Sequence, residues 1–177
     1  MKLPRRDALA AGLGLASGLL LPAAANAGAA ATLAPILGYS DWLAARPNAE
    51  SLHGRVVLVD VFTFGCYNCK NITPNLRSLH RTKPASDLVI IGVHTPETPY
   101  ERDRALVVQN LRQLGIVWPV AIDNDSRLWN AYGIEYWPTQ LIFDRAGTLR
   151  RTVVGDSEDE LVDRTIADLI REGSRHA

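Results

Sequence analysis

The chain of 177 residues holds two cysteines, three positions apart, in Cys66-Tyr67-Asn68-Cys69. Thiols at that spacing can close a disulfide when the first sits at the start of a helix. Cys66 follows a buried-type apolar run and the short turn Thr63-Phe64-Gly65, where such a helix would begin. Free N–H groups and the positive end of the helix dipole then favour thiolate over thiol, drawing its pKa from ~8.5 toward ~7 or below. Cys66 is thus expected to be the attacking sulfur. Cys69, turned inward, is expected to resolve the mixed disulfide.

Other uses of the pair fit less well. A zinc site needs two further ligands, and His53, His80, His94 and His176 show no metal spacing. Haem attachment wants histidine directly after the second cysteine, where Lys70 stands. A loop this small would constrain the unfolded chain little, so a merely structural disulfide has little purpose. Two alternatives stay open. One is a thiol peroxidase, because Thr63 precedes Cys66 by three as in the peroxiredoxin motif, although Val59 replaces its proline. The other is a non-enzymatic dithiol carrier of copper or zinc, with His94 as a further ligand.

The elements that would position the pair alternate. Val56–Phe62 and residues 88–93 are β-branched apolar runs of strands buried on both faces. Residues 66–80 carry helical spacing (Ile72, Leu76, Leu79) around Pro74. Residues 100–114 read as a helix with Thr98 as N-cap, Pro99 first and Gly115 as stop. A short strand at 117–122 and a short helix at 126–132 follow. Thr139–Phe143 and residues 148–154 form a hairpin about Asp144-Arg145-Ala146-Gly147. Ser157 and Glu160 make a capping box that opens a helix to Arg171. Residues 39–45 read as helical turns between Ser40 and Pro47. This alternation predicts an α/β sandwich with a mixed sheet.

Around the cysteine pair the sequence resembles the thioredoxin fold. Val57-Leu58-Val59-Asp60-Val61-Phe62 before Cys66-x-x-Cys69 is similar to the family's active-site strand and helix. Pro74 matches its helix kink, and Trp137-Pro138-Thr139 its cis-proline loop. The insert at residues 95–130 is similar to the exported TlpA/ResA-like branch. The motifs at residues 92–97 and 129–133 are similar to the thioredoxin-like module of DipZ-type proteins. The resemblance covers residues 50–172 and implies a thioredoxin-like three-layer α/β/α sandwich with a β/α insert after the second buried strand. It also implies thiol–disulfide exchange with protein substrates, more as a reductant than an oxidant, re-reduced by a membrane electron-transfer partner. No organic cofactor is implied, since the sulfur pair carries the electrons.

Roles follow from the resemblance. Asp60, if buried behind Cys69, takes that thiol's proton; its alternative is a solvated carboxylate at a strand end. Pro138 carries a cis bond and presents the Trp137 backbone to an extended substrate; its alternative is an ordinary turn proline. Tyr67, Trp137 and Thr139 complete the docking surface. The chain departs from the family at Gly65, where tryptophan is usual, and at Tyr67-Asn68, where Gly-Pro is. His94 and Glu97 read as an exposed loop, and His53, His80 and His176 as surface residues.

The first 27 residues read as an address. Lys2, Arg5 and Arg6 precede an uncharged run at residues 8–21, and Ala25-Asn26-Ala27 offers a cleavage site. The run is shorter than the roughly 20 residues a membrane span needs. A removable export signal is therefore favoured over a retained anchor, and Arg5-Arg6 leaves twin-arginine and general secretory routes open. Residues 28–38 would be a flexible lead-in, 39–172 the domain and 173–177 a tail. Composition (47% hydrophobic, 21% charged) excludes a disordered chain, and zero formal charge gives no basis for nucleic-acid binding.

Overall fold

Seven consecutive buried residues, Val56–Phe62, make the central strand, and the chain builds outward from it. The computed structural model describes residues 31–174, so the expected leader and His176 lie outside the described residues. The elements run α1 (Ala34–Gly38), β1 (Trp42–Leu43), α2 (Ala49–Leu52), β2 (Val56–Phe62), α3 (Tyr67–Thr82) and β3 (Leu88–His94). A 3-10 turn (Pro99–Arg102) leads to α4 (Arg104–Leu114), β4 (Val120–Ile122), α5 (Arg127–Ala131), β5 (Thr139–Phe143), β6 (Leu149–Val154) and α6 (Asp159–Ser174).

The six strands are ordered β1-β4-β3-β2-β5-β6. Strands β2, β3 and β4 run parallel, while β1, β5 and β6 pair antiparallel to their neighbours. Period-two alternation divides β2 between two cores. Val56, Leu58 and Phe62 face α3, α4 and α6 along with Cys69, Ile72, Val107 and Ile166. Val57, Val59 and Val61 face α1, α2 and α5 with Ile36, Leu52 and Leu128. Both faces are covered, which is why β2 reads as unbroken apolar sequence. The architecture is the expected three-layer α/β/α sandwich, with the insert after β3.

Several local readings need correction. Residues 31–38 are no loose lead-in: Leu33 and Ile36 enter the core, and Leu149 N–H donates to Ala31 O at 2.8 Å. Residues 39–45 hold the edge strand β1 instead of helical turns. There the Tyr39 hydroxyl donates to Ile122 O at 2.7 Å and the Trp42 indole to Tyr39 O at 2.9 Å, so sheet pairing outweighs local preference. The helix read at residues 100–114 breaks at Asp103, whose carboxylate accepts from Ala105 and Leu106 N–H and starts α4 afresh. Strand β4 starts at Val120, three residues late, because Pro119 has no N–H for the ladder. Strand β6 begins at Leu149, after the turn. Helix α6 starts at Asp159 rather than at a Ser157 cap and runs through Ser174 into the supposed tail.

Candidate active site

Strand β2 ends at Phe62, and the chain turns through Thr63, Phe64 and Gly65, where Cys66 N–H donates to Thr63 O at 3.3 Å. Cys66 is the N-cap of α3: its Sγ accepts from Cys69 N–H at 3.1 Å. The two cysteines form a disulfide, with Cα atoms 5.3 Å apart. Cys66 is half-buried, whereas Cys69 is 4% exposed. Only the first sulfur is open to a partner from solution. Helix α3 continues through Pro74, and Thr73 hydroxyl donates to Cys69 O at 2.9 Å.

Asp60 shares the face of β2 that α3 covers, and it is 3% exposed. Burial raises its carboxyl pKa to about 7, because a dry site disfavours the charged form. Beside it on β3 stands Gly92, and beside it on β5 Gln140. Asp60 Oδ1 and Gln140 Nε2 are both buried with no partner among the described residues.

Across from the disulfide lies the loop before β5. Its Trp137–Pro138 peptide is cis, as the resemblance implied. Trp137 is half-buried: its indole N–H donates to Thr95 O at 3.1 Å, and its ring packs 4.3 Å from that of Trp129. Thr139 is buried, with its hydroxyl donating to Tyr136 O at 2.7 Å, so it holds the loop and offers no side-chain surface to a ligand. A groove of about 420 Å³ runs between loop and disulfide, lined by Gly65, Cys66, Tyr67, Asn68, Glu97, Glu135, Tyr136 and Trp137. Tyr67 stands 76% exposed at its rim.

His94 contradicts the expectation of an exposed loop. It is fully buried between Phe62 and Phe64, with the Phe64 ring stacked on it at 5.5 Å. Its Nε2 lies 3.3 Å from Thr63 Oγ1 and accepts from Phe64 N–H at 3.4 Å. Burial pulls its pKa down to about 4, against the opposing pull of the Glu101 carboxylate. The ring is therefore neutral and braces the turn before Cys66. Glu97 is exposed as expected, and so are His53 and His80, the latter packing on Trp118 at 5.6 Å.

Glu101, Glu135 and Tyr136 were not singled out in the sequence. Glu101 is 3% exposed, and its Oε2 accepts from Glu97 N–H at 2.7 Å and Thr98 N–H at 2.9 Å. The motif Thr98-Pro99-x-Glu101, read only as a helix start, was the available signal.

A disulfide thus caps a helix beside a cis-proline loop, on a mixed sheet with helices on both faces. The family model described as Thioredoxin-like matches residues 54–149, and the chain belongs to that family. It is 31% identical over 145 residues to Protein DipZ of Mycobacterium tuberculosis, covering 80% of this chain and 21% of DipZ. The chain thus spans about one fifth of that relative's length. It is 25% identical to the thiol-disulfide oxidoreductase YkuV of Bacillus subtilis over 77% of this chain and 93% of YkuV. A crystal structure of a thiol-disulfide isomerase from Corynebacterium glutamicum superimposes with TM-score 0.68 and 27% identity, over 76% of this chain and 93% of that one.

Proposed function

We propose that this chain is an exported reductant of protein disulfides, acting through a mixed disulfide on Cys66. One observation carries the reading: a half-exposed sulfur at the N-terminus of α3 is bonded to a buried one on the face that holds Asp60. In the reduced protein the Cys66 thiolate attacks one sulfur of a substrate disulfide, and the other substrate sulfur leaves as a thiolate. Cys69 then gives its proton to the Asp60 carboxylate, directly or through a water, and its sulfur attacks Cys66 Sγ. The second substrate thiolate departs, and two electrons have passed from the cysteine pair to the substrate. The Trp137 backbone edge at the cis-proline and the ring of Tyr67 dock the substrate segment. Residues 1–27, with Lys2, Arg5 and Arg6 ahead of an uncharged apolar run, supply export, and a membrane partner restores the dithiol.

Trapping tests the roles. A Cys69→Ser protein incubated with a disulfide-bonded test protein such as insulin should accumulate an adduct on Cys66, found by mass spectrometry. Adducts that form only on Cys69, in a Cys66→Ser protein, overturn the assignment. Asp60→Asn should slow resolution of the adduct more than its formation. Equilibration with glutathione tests direction: a potential near that of thioredoxin, about −270 mV, supports a reductant, and one near −120 mV overturns it.

A further inference from the structure

The Glu101 carboxylate occupies the space that a side chain at residue 65 would fill. An ideal Cβ built on Gly65 would overlap Glu101 Oε1 and lie 3.1 Å from its Cδ. The acid is held there from its other oxygen by the N–H groups of Glu97 and Thr98. A 3% exposed carboxylate thus packs on the backbone one residue before Cys66. It acts electrostatically on its surroundings, since it opposes the burial-driven drop in the His94 pKa.

We propose that Glu101, seated against Gly65, sets the redox poise of the cysteine pair and biases it toward electron donation. The idea rests on the exchange chemistry proposed above and adds the group that tunes it. A fixed negative charge disfavours the Cys66 thiolate and leaves the uncharged disulfide untouched. The equilibrium with any external thiol therefore moves toward the disulfide, and the reduced pair gives up its two electrons more readily. Glycine at residue 65 is what lets the acid approach.

Other ionisable groups surround the pair. Asp60 comes from β2, His94 from β3, Glu97 and Glu135 from the groove loops, Tyr67 and Lys70 from α3, and Tyr136 from the loop before β5. His94 is neutral. Glu97, Glu135 and Lys70 are exposed, so water and salt screen them. Asp60 is buried on the face of β2 that α3 covers, and its part in the exchange is the resolving step proposed above. Glu101 is the buried carboxylate on the Cys66 side, which makes it the one whose effect survives salt.

The test is equilibration of the full chain with defined ratios of reduced and oxidised glutathione, at low and high salt. Glu101→Gln keeps the shape and removes the charge. It should move the exchange constant about tenfold toward the dithiol, ~30 mV less reducing, with the Cys66 thiol pKa falling in alkylation-rate profiles. Gly65→Ala, which must displace the carboxylate, should shift both readouts in the same direction but less, and should add nothing to Glu101→Gln. A purely structural role would lower thermal stability and leave the exchange constant alone. The proposal is overturned if both variants exchange with the wild-type constant, or if either becomes more reducing. Failure of the wild-type protein to exchange at all would sink the exchange chemistry itself, a different result.

Discussion

Asp60 carries the clearest pH signature in the molecule. Its carboxyl titrates near 3.8 when solvated and near 7 in the fold, and burial is the cause. Between those values the unfolded chain has lost the proton that the native chain keeps, so the unfolded state binds fewer protons and stability falls as pH rises. The full penalty, up to about 4 kcal/mol, is reached above pH 7 and disappears below the unfolded pKa. Asp60→Asn removes the titration. In the disulfide form, the variant should gain about 2–4 kcal/mol relative to wild type between pH 4 and pH 8 in denaturant unfolding. A wild-type-to-variant difference that does not change with pH would contradict the burial argument. At this scale the sequence was legible wherever a residue's chemistry follows from type and spacing: the cysteine pair, and by resemblance Asp60 and the cis Pro138. Glu101 and His94 were not, because their burial comes from residues distant in sequence: Phe62 and Phe64 pack on His94, and the Gly65 backbone on Glu101.

Among the elements, α5 shows how the insert is fastened beside the groove. Ser126 occupies the N-cap position in a left-handed conformation, φ 57°. The buried carboxylate of Asp123 does the capping, accepting from Leu128 N–H at 3.0 Å and Trp129 N–H at 2.9 Å, with the Thr95 hydroxyl at 3.0 Å. Helix α5 in turn supplies Trp129, against which Trp137 packs. Asp123→Ala leaves three donors without that acceptor in a dry site, each costing about 1–3 kcal/mol. After partial relaxation the loss of unfolding free energy should be about 2–4 kcal/mol, and adduct formation on Cys66 should slow as Trp137 loosens. A loss below 0.5 kcal/mol in urea unfolding would show that the cap is dispensable. The helix itself was legible as a short helix over residues 126–132. Its true cap was hidden three residues upstream, because a buried acid bonding across a turn looks in sequence like any loop aspartate.

For the whole molecule, the instructive difference is the N-terminal boundary. Small residues without period made residues 28–38 look like a tether, but a packed segment needs only one or two anchors. Leu33 and Ile36 serve, both seated among residues that include Val57, Leu141 and Phe143 in the core opposite the disulfide. Backbone bonds join the same segment to the β5–β6 turn, from Leu33 N–H to Gly147 O at 3.3 Å and from Leu149 N–H to Ala31 O. If the segment belongs to the cooperative unit, Ile36→Ala opens a cavity in a fully buried site and costs about 2–4 kcal/mol. On a loose tether the same change would stay within about 0.5 kcal/mol. Urea unfolding of the oxidised protein separates the two: a lower midpoint with unchanged slope places α1 inside the domain, and an unmoved midpoint makes it a tether. Cys66 lies on the opposite face of the sheet, so exchange rates well below the transition should match wild type even as the midpoint falls.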